Sequence, residues 1–160
     1  MNAMRFEEQG VLLKAREVHK QYNKSREAWV QSFLTGLGDL GVQRGYRIAS
    51  EAVEGRWMTD LTWLRCRHAD LSDFDGLALA CQVVWETPDE VLRQRLLTLA
   101  LLRAEVRLFI FNSSSPGRHQ EVLEKAKTWL NFPMVSPGRI MLLSSGNADK
   151  DVQLSVIELM

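Results

Sequence analysis

An apolar run near the middle of the chain constrains the fold most, because neither face of the strand that it predicts is polar. Residues 77–85 read LALACQVVW. A strand with one solvated face alternates apolar and polar residues, whereas a strand covered on both faces is apolar nearly throughout. The run therefore predicts a central strand with other elements packed on both sides of its sheet.

A strong helix start follows this strand directly. Thr87 is a typical N-cap residue, Pro88 suits the first helical position, and two acidic residues come next. A helix is predicted over 88–102 and a further strand over 106–111. Because two parallel strands need a long crossover such as a helix, this unit predicts an α/β protein with a mixed central sheet flanked by helices.

Helical and strand patterns fill the remainder of the 160 residues. Other helices are predicted over 6–22, from Ser25 to the glycines at 36, 38 and 41, and over 119–130. Other strands are predicted over 46–53, 56–65, 139–143 and 152–159. We predict one domain, consisting of an N-terminal helix (1–24), an αβββαβ core (25–112) and a C-terminal αββ extension (113–160).

Charge and cysteine usage restrict the partner and the compartment. Lys+Arg and Asp+Glu number 20 each, so the net charge is +0, whereas non-specific polyanion binding relies on excess basic residues. Cys66 and Cys81 form neither a metal-ligand spacing nor a disulfide framework. No run approaches the roughly 20 apolar residues that span a bilayer, and no signal peptide is recognised. A cytoplasmic protein without a membrane partner is predicted.

Asp60 is the polar residue with the strongest chemical argument. It lies inside the apolar, β-rich run WMTDLTWL at 57–64. A buried strand aspartate needs a partner cation, because an unpaired charge is too costly in an apolar interior. A metal ion at the junction of two strands would satisfy it. A structural ion pair with an arginine would also do so, and the candidates are Arg56, Arg65 and Arg95.

The element order and this aspartate together resemble the PD-(D/E)XK nuclease superfamily, which has the restriction-endonuclease-like fold. Residues 56–63 look like the second core strand of that superfamily, which carries its metal-binding aspartate. Residues 79–85 look like its third strand, and the helix from Pro88 looks like the one that leads to its fourth. The likeness covers roughly residues 25–112 and implies the αβββαβ core.

The resemblance further implies an acidic residue on the third strand and a lysine two positions later. Side chains two residues apart share one face of a strand, so both groups would meet Asp60 and Mg²⁺. In such a site the carboxylates hold the ion and the lysine activates the attacking water. Here the two positions are occupied by Gln82 and Val84, and Glu86 is the next residue on that face.

Other residues could replace the missing groups. Glu27 on the preceding helix or Glu51 on the first strand could supply a carboxylate, and Arg95 could supply a cation, although it is a poor base. The candidate catalytic residues are Asp60, Gln82, Glu27 and Arg95. The candidate metal ligands are Asp60, Gln82 and Glu86. Gln82 also suits a hydrogen-bonded core amide, and Glu86 suits a helix cap or a solvated strand end.

Histidines, tryptophans and serines have structural interpretations. Three histidines are predicted on the surface because polar residues surround them: His19, His68 and His119. Three tryptophans fall on predicted inward stripes: Trp29, Trp63 and Trp129. Two lie near strand ends, where they could face a partner: Trp57 and Trp85. The serine-rich segment 113–117 lacks the lysine of a phosphate-binding loop and predicts a turn.

Two functions from different classes follow. The first is a degenerate nuclease-fold module, a pseudoenzyme without a certain cofactor. It would act through a protein partner, inside a nucleic-acid-handling or defence assembly, with the N-terminal helix as a docking or homo-oligomerisation element. The alternative is an active Mg²⁺-dependent DNA endonuclease with a migrated carboxylate. A small α/β binding protein, such as an inhibitor or immunity factor, is a third hypothesis.

Overall fold

The computed structural model describes residues 4–22, 26–50, 59–66, 74–85, 88–113, 115–145 and 152–160. Within these ranges the helices are α1 (Phe6–Tyr22), α2 (Arg26–Gln43), α3 (Asp89–Leu101) and α4 (Arg118–Trp129). The strands are β1 (Arg47–Ser50), β2 (Leu61–Cys66), β3 (Phe74–Val84), β4 (Ala104–Asn112), β5 (Gly138–Ser145) and β6 (Gln153–Leu159). None of the helices in this described part combines the length and apolar character that crossing a bilayer requires.

These strands form one six-stranded sheet, and their order in space follows their order in the chain. The three central strands β3, β4 and β5 are parallel to one another, whereas β1, β2 and β3 form an antiparallel meander and β6 is antiparallel to β5. The parallel neighbours are connected through α3 and α4, as crossover geometry requires. The predicted α/β class with a mixed sheet is confirmed.

Two apolar cores cover the two faces of this sheet. On the first face, α1 and α2 pack with Trp63, Leu79 and Cys81. On the second face, α3 and α4 pack with Ala80, Val84 and Phe109. From Leu79 onwards, the apolar residues of β3 alternate between the two cores, and the prediction of a central strand covered on both sides is confirmed.

The N-terminal helix is part of the first-face core. Val11, Ala15 and Val18 of α1 are buried there, and the buried carboxylate of Glu8 pairs with Arg139 of β5 at 3.2 Å. This corrects the expectation that α1 lies outside the core. Its role as a docking or homo-oligomerisation element stays a prediction. Its apolar stripe already has a partner within the same chain.

Helix α2 continues past the point where the sequence predicts its end. Gly36, Gly38 and Gly41 all lie inside it, since α2 extends to Gln43. A Cβ atom at Gly41 would lie 2.6 Å from Nε1 of Trp63. That glycine therefore permits a close approach of the helix to the sheet and does not end the helix. The prediction failed because glycine marks both helix ends and close backbone contacts.

A buried arginine that the sequence interpretation left unremarked ties several segments together. Arg107 lies in the apolar run of β4, and its side chain is almost completely buried. Its guanidinium donates to five backbone carbonyl groups, at 2.9–3.4 Å: those of Ala100, Leu102, Ser136, Pro137 and Arg139. Burial lowers the pKa of Arg107 below its ordinary value. These bonds join the end of α3 and the segment before β5 to the second-face core.

Candidate functional site

Asp60 lies in a bend immediately before β2 and extends the hydrogen bonding of the sheet. Its backbone N–H donates to the carbonyl of Cys81 at 3.0 Å. Its Oδ2 accepts the backbone N–H of Val83 at 2.7 Å. The antiparallel ladder between β2 and β3 ends at the pair Leu61 and Cys81, so the carboxylate serves β3 as an acceptor just past that end. This half-buried carboxylate thus has a structural role.

Two threonines fix the bend that carries Asp60. Both are buried, and the Oγ1 atoms of Thr59 and Thr62 lie 2.5 Å apart. The Thr59 hydroxyl also approaches the Leu61 carbonyl at 3.2 Å. Because side-chain hydroxyls can satisfy backbone groups where ladder pairing stops, these contacts hold Asp60 in a defined orientation.

Asp60 lines a solvent-open cavity of about 370 Å³ between α2 and the ends of β2 and β3. The described residues that line it are Glu27, Val30, Gln31 and Leu34 of α2, together with Asp60, Val83 and Trp85. The indole of Trp85 packs against that of Trp29, with ring centroids 5.5 Å apart. The structure thus brings two of the predicted site residues, Asp60 and Glu27, to one cavity.

The negative charge of Asp60 affects the pKa of Cys81, a first-face residue of β3. Burial raises the pKa of the Cys81 thiol well above its ordinary value, and the charge of Asp60 raises it further. The thiol therefore stays protonated near pH 7, unlike the thiolates of reactive cysteines. Cys81 packs in the first-face core as a small apolar side chain, as predicted.

Gln82 belongs to the other side of the sheet. It is buried between Ala80 and Val84 along β3, and both of these neighbours pack in the second-face core. Because side chains alternate along a strand, Gln82 points away from the cavity that Val83 and Trp85 line. The structure therefore does not bring Gln82 to the Asp60 carboxylate as a shared metal ligand. The bend before β2 turns Asp60 towards the first face, and the strand pattern of the sequence did not reveal this bend.

The remaining candidate residues do not complete this site within the described chain. Arg95 is exposed on α3, on the second face, and Arg65 pairs with Glu105 at 2.5 Å. Five further candidates lie outside the described residues: Glu51, Arg56, Trp57, His68 and Glu86. Across the residues that are described, no group of three or more His, Cys, Asp or Glu side chains is arranged to hold a metal ion.

Two buried histidines form polar contacts that the sequence interpretation missed. His119 contacts Ser144 through Nδ1 at 2.6 Å and Ser155 through Nε2 at 2.9 Å, and Nδ1 of His19 contacts Ser145 at 2.7 Å. The predicted surface position of both histidines is therefore wrong. The sequence feature that could have indicated these contacts is the pair Ser144 and Ser145 at the end of β5. Consecutive strand residues face opposite sides of the sheet, so each serine contacts a histidine from a different helix layer.

The cavity is suited to binding a cation, while its β3 wall lacks groups for acid–base chemistry. Glu27 and Asp60 supply negative charge, and on the cavity side β3 and the residue after it contribute only the apolar side chain of Val83 and the indole of Trp85. The ligand set implied by the resemblance does not fit, because Gln82 faces the second core. No family model, curated protein or solved structure matches this chain.

Proposed function

We propose that this chain is a non-catalytic module with a restriction-endonuclease-like core, which works by binding a protein partner within a nucleic-acid-handling or defence assembly. The observation that carries the proposal is the 2.7 Å hydrogen bond from the Val83 N–H to Asp60. This bond gives Asp60 a structural role, because its carboxylate accepts the Val83 N–H just past the end of the hydrogen-bond ladder between β2 and β3. A carboxylate used in this way is held for stability, independently of any metal.

The wall of the cavity supports the same conclusion. A phosphodiesterase of this class needs a second carboxylate and a cationic group beside the metal-binding aspartate. Glu27 is a second carboxylate on this cavity, but none of the described lining residues is cationic. The β3 side of the cavity presents Val83 and Trp85, which favour contact with an apolar or amphipathic partner. The order α2–β1–β2–β3–α3–β4 agrees with the αβββαβ order of the resemblance, and the net charge of +0 favours a protein over a polyanion as the direct partner.

An active Mg²⁺-dependent endonuclease is the second candidate, and one observation favours it. Glu27 lies on the same cavity as Asp60, which is the arrangement expected if the missing carboxylate had migrated to the preceding helix. One or two carboxylates with water ligands can hold Mg²⁺. The two candidates therefore differ in whether a divalent ion binds at Asp60.

The replacement Asp60→Asn tests this difference directly. The amide oxygen can still accept the Val83 N–H, but the charge is lost. We expect Mg²⁺ and Mn²⁺ to change the melting temperature of the wild type and of this variant equally, and neither protein to nick supercoiled plasmid DNA. Glu124→Gln on α4, an exposed position, is the control for a lost surface charge. Metal-dependent nicking that disappears in Asp60→Asn and persists in Glu124→Gln would establish the endonuclease instead.

A further inference from the structure

We infer that the cavity between α2 and the sheet receives an arginine side chain from the partner protein. This inference rests on the proposed function, since it names the group that a protein partner would insert there. Three properties of the described lining carry it: the sign of its charge, the chemistry of its walls and its size.

The described part of the lining carries negative charge. Glu27 is exposed at one side of the cavity and Asp60 is half-buried at the other, and none of the described lining residues is cationic. Gln31 adds an amide whose oxygen can accept a further hydrogen bond. Carboxylates that are partly removed from water interact more strongly with a cation than fully solvated ones do, so a positively charged group is favoured.

The walls distinguish an arginine from a metal ion. Four of the lining residues are apolar or aromatic: Val30, Leu34, Val83 and Trp85. A divalent ion such as Mg²⁺ requires a near-octahedral shell of oxygen atoms, which these side chains cannot supply. A guanidinium pairs with carboxylates through several N–H groups and also packs its faces on aromatic rings, while its methylene stem covers apolar surface.

The aromatic wall is already ordered for such a contact. Trp85 packs on Trp29, and Trp29 stacks on Phe33 with ring centroids 5.0 Å apart. Trp29 and Phe33 are buried, so little side-chain entropy remains to be lost when a ligand binds. The volume of about 370 Å³ is near the lower end of ligand pockets, roughly 300–1,000 Å³, which suits one inserted side chain.

The test uses the full chain and Nα-acetyl-argininamide as the probe, followed through the indole N–H signals of the five tryptophans in NMR spectra. A Trp85→Phe variant identifies the Trp85 signal. We expect a saturable shift of this signal, with binding weakened at least about tenfold in Asp60→Asn. We also expect weaker binding in Glu27→Gln and unchanged binding in Glu124→Gln. The uncharged norleucine analogue, which keeps an aliphatic stem, should fail to bind.

Several outcomes would overturn the inference. Equal binding of the norleucine analogue would show that the pocket does not recognise charge. Undiminished binding of Nα-acetyl-argininamide to both Asp60→Asn and Glu27→Gln would show that the carboxylates do not contribute to binding. If Asp60→Asn does not fold, Glu27→Gln decides, because the Glu27 side chain is exposed. A Mg²⁺-induced shift of Trp85 that depends on Asp60 would refute this inference and the proposed function together. Absence of both arginine binding and nicking would refute this inference alone.

Discussion

Two glycines of α2 show how much a single methyl group matters where a helix approaches a sheet. A Cβ atom at Gly41 would lie 2.6 Å from Cδ1 of Ile48 and equally close to the Trp63 indole. A Cβ atom at Gly38 would meet nothing closer than 3.9 Å. Both residues lie in one helix, so they share its intrinsic preference for alanine over glycine and differ in the space around them.

We therefore expect opposite effects from the same substitution. Gly38→Ala should stabilise the protein by up to about 1 kcal/mol, the difference in helix propensity. Gly41→Ala should destabilise it by about 1–3 kcal/mol, because the new methyl group overpacks the contact with buried Trp63 and the side chains around it must move. The free energy of unfolding in urea measures both changes. Equal stability of the two variants would show that the helix is not held against Trp63.

Individual residues also mark the limit of sequence interpretation. The sequence identified Asp60 as a polar residue inside a predicted strand over 56–65, whereas it lies in the bend before β2, which begins at Leu61. Its cavity does contain Glu27, one of the proposed replacements. The sequence could not show that Asp60 lies in a bend, because a bend changes the face of a residue without changing the hydrophobic pattern. The sequence also could not predict the five carbonyl contacts of Arg107, since the carbonyl groups belong to other segments of the chain.

At the scale of elements, a charged cluster joins the first turn of α3 to Arg118 and Lys125 of α4. The carboxylate of Asp89 accepts a hydrogen bond from Lys125 at 2.6 Å and pairs with Arg118 at 3.5 Å. The hydrogen bond from Lys125 lowers the pKa of Asp89, and the positive charges of Lys125 and Arg118 act in the same direction. Asp89 also lies in the first turn of α3, where a negative charge interacts favourably with the helix dipole.

This pairing predicts a stability difference that depends on pH. Because folding lowers the pKa of Asp89, its contribution is fully present above about pH 5 and is lost as the pH falls through the folded-state value. The group is substantially exposed, so Asp89→Asn should cost at most about 1 kcal/mol at pH 7. Urea unfolding from pH 7 down to pH 3 should show this difference shrinking. Glu90→Gln removes the neighbouring acidic group and is the control. If it lowered the free energy of unfolding by the same amount and with the same pH dependence, a specific role for Asp89 would be contradicted.

Most elements could be predicted from the chain, and the reason is local. The residues at its own start predicted the helix that follows Pro88. Pro88 directly precedes Asp89, the first residue of α3. The central strand was visible because both of its faces are apolar. The wrong predictions concern features that depend on contacts with residues distant in the chain. These features are the glycines inside α2, the burial of His19 and His119, and the packing of α1 into the first-face core.

At the scale of the whole molecule, one sheet separates two apolar cores that share every central strand. Each of β3, β4 and β5 contributes buried apolar residues to both the first-face and the second-face core. A strand cannot leave one core without leaving the other, because its backbone hydrogen bonds serve both faces. The two helix layers are therefore expected to unfold together, although they are separated by the thickness of the sheet.

Matched substitutions on the two faces test this coupling. Leu37 of α2 and Leu96 of α3 are both fully buried, one in each core. Replacing either with alanine should lower stability by about 2–5 kcal/mol, the usual range for a buried leucine. Each variant should still unfold in one calorimetric transition whose measured and van't Hoff enthalpies agree. Two separate transitions, with Leu37→Ala lowering only one and Leu96→Ala only the other, would show that the helix layers fold independently on a common sheet.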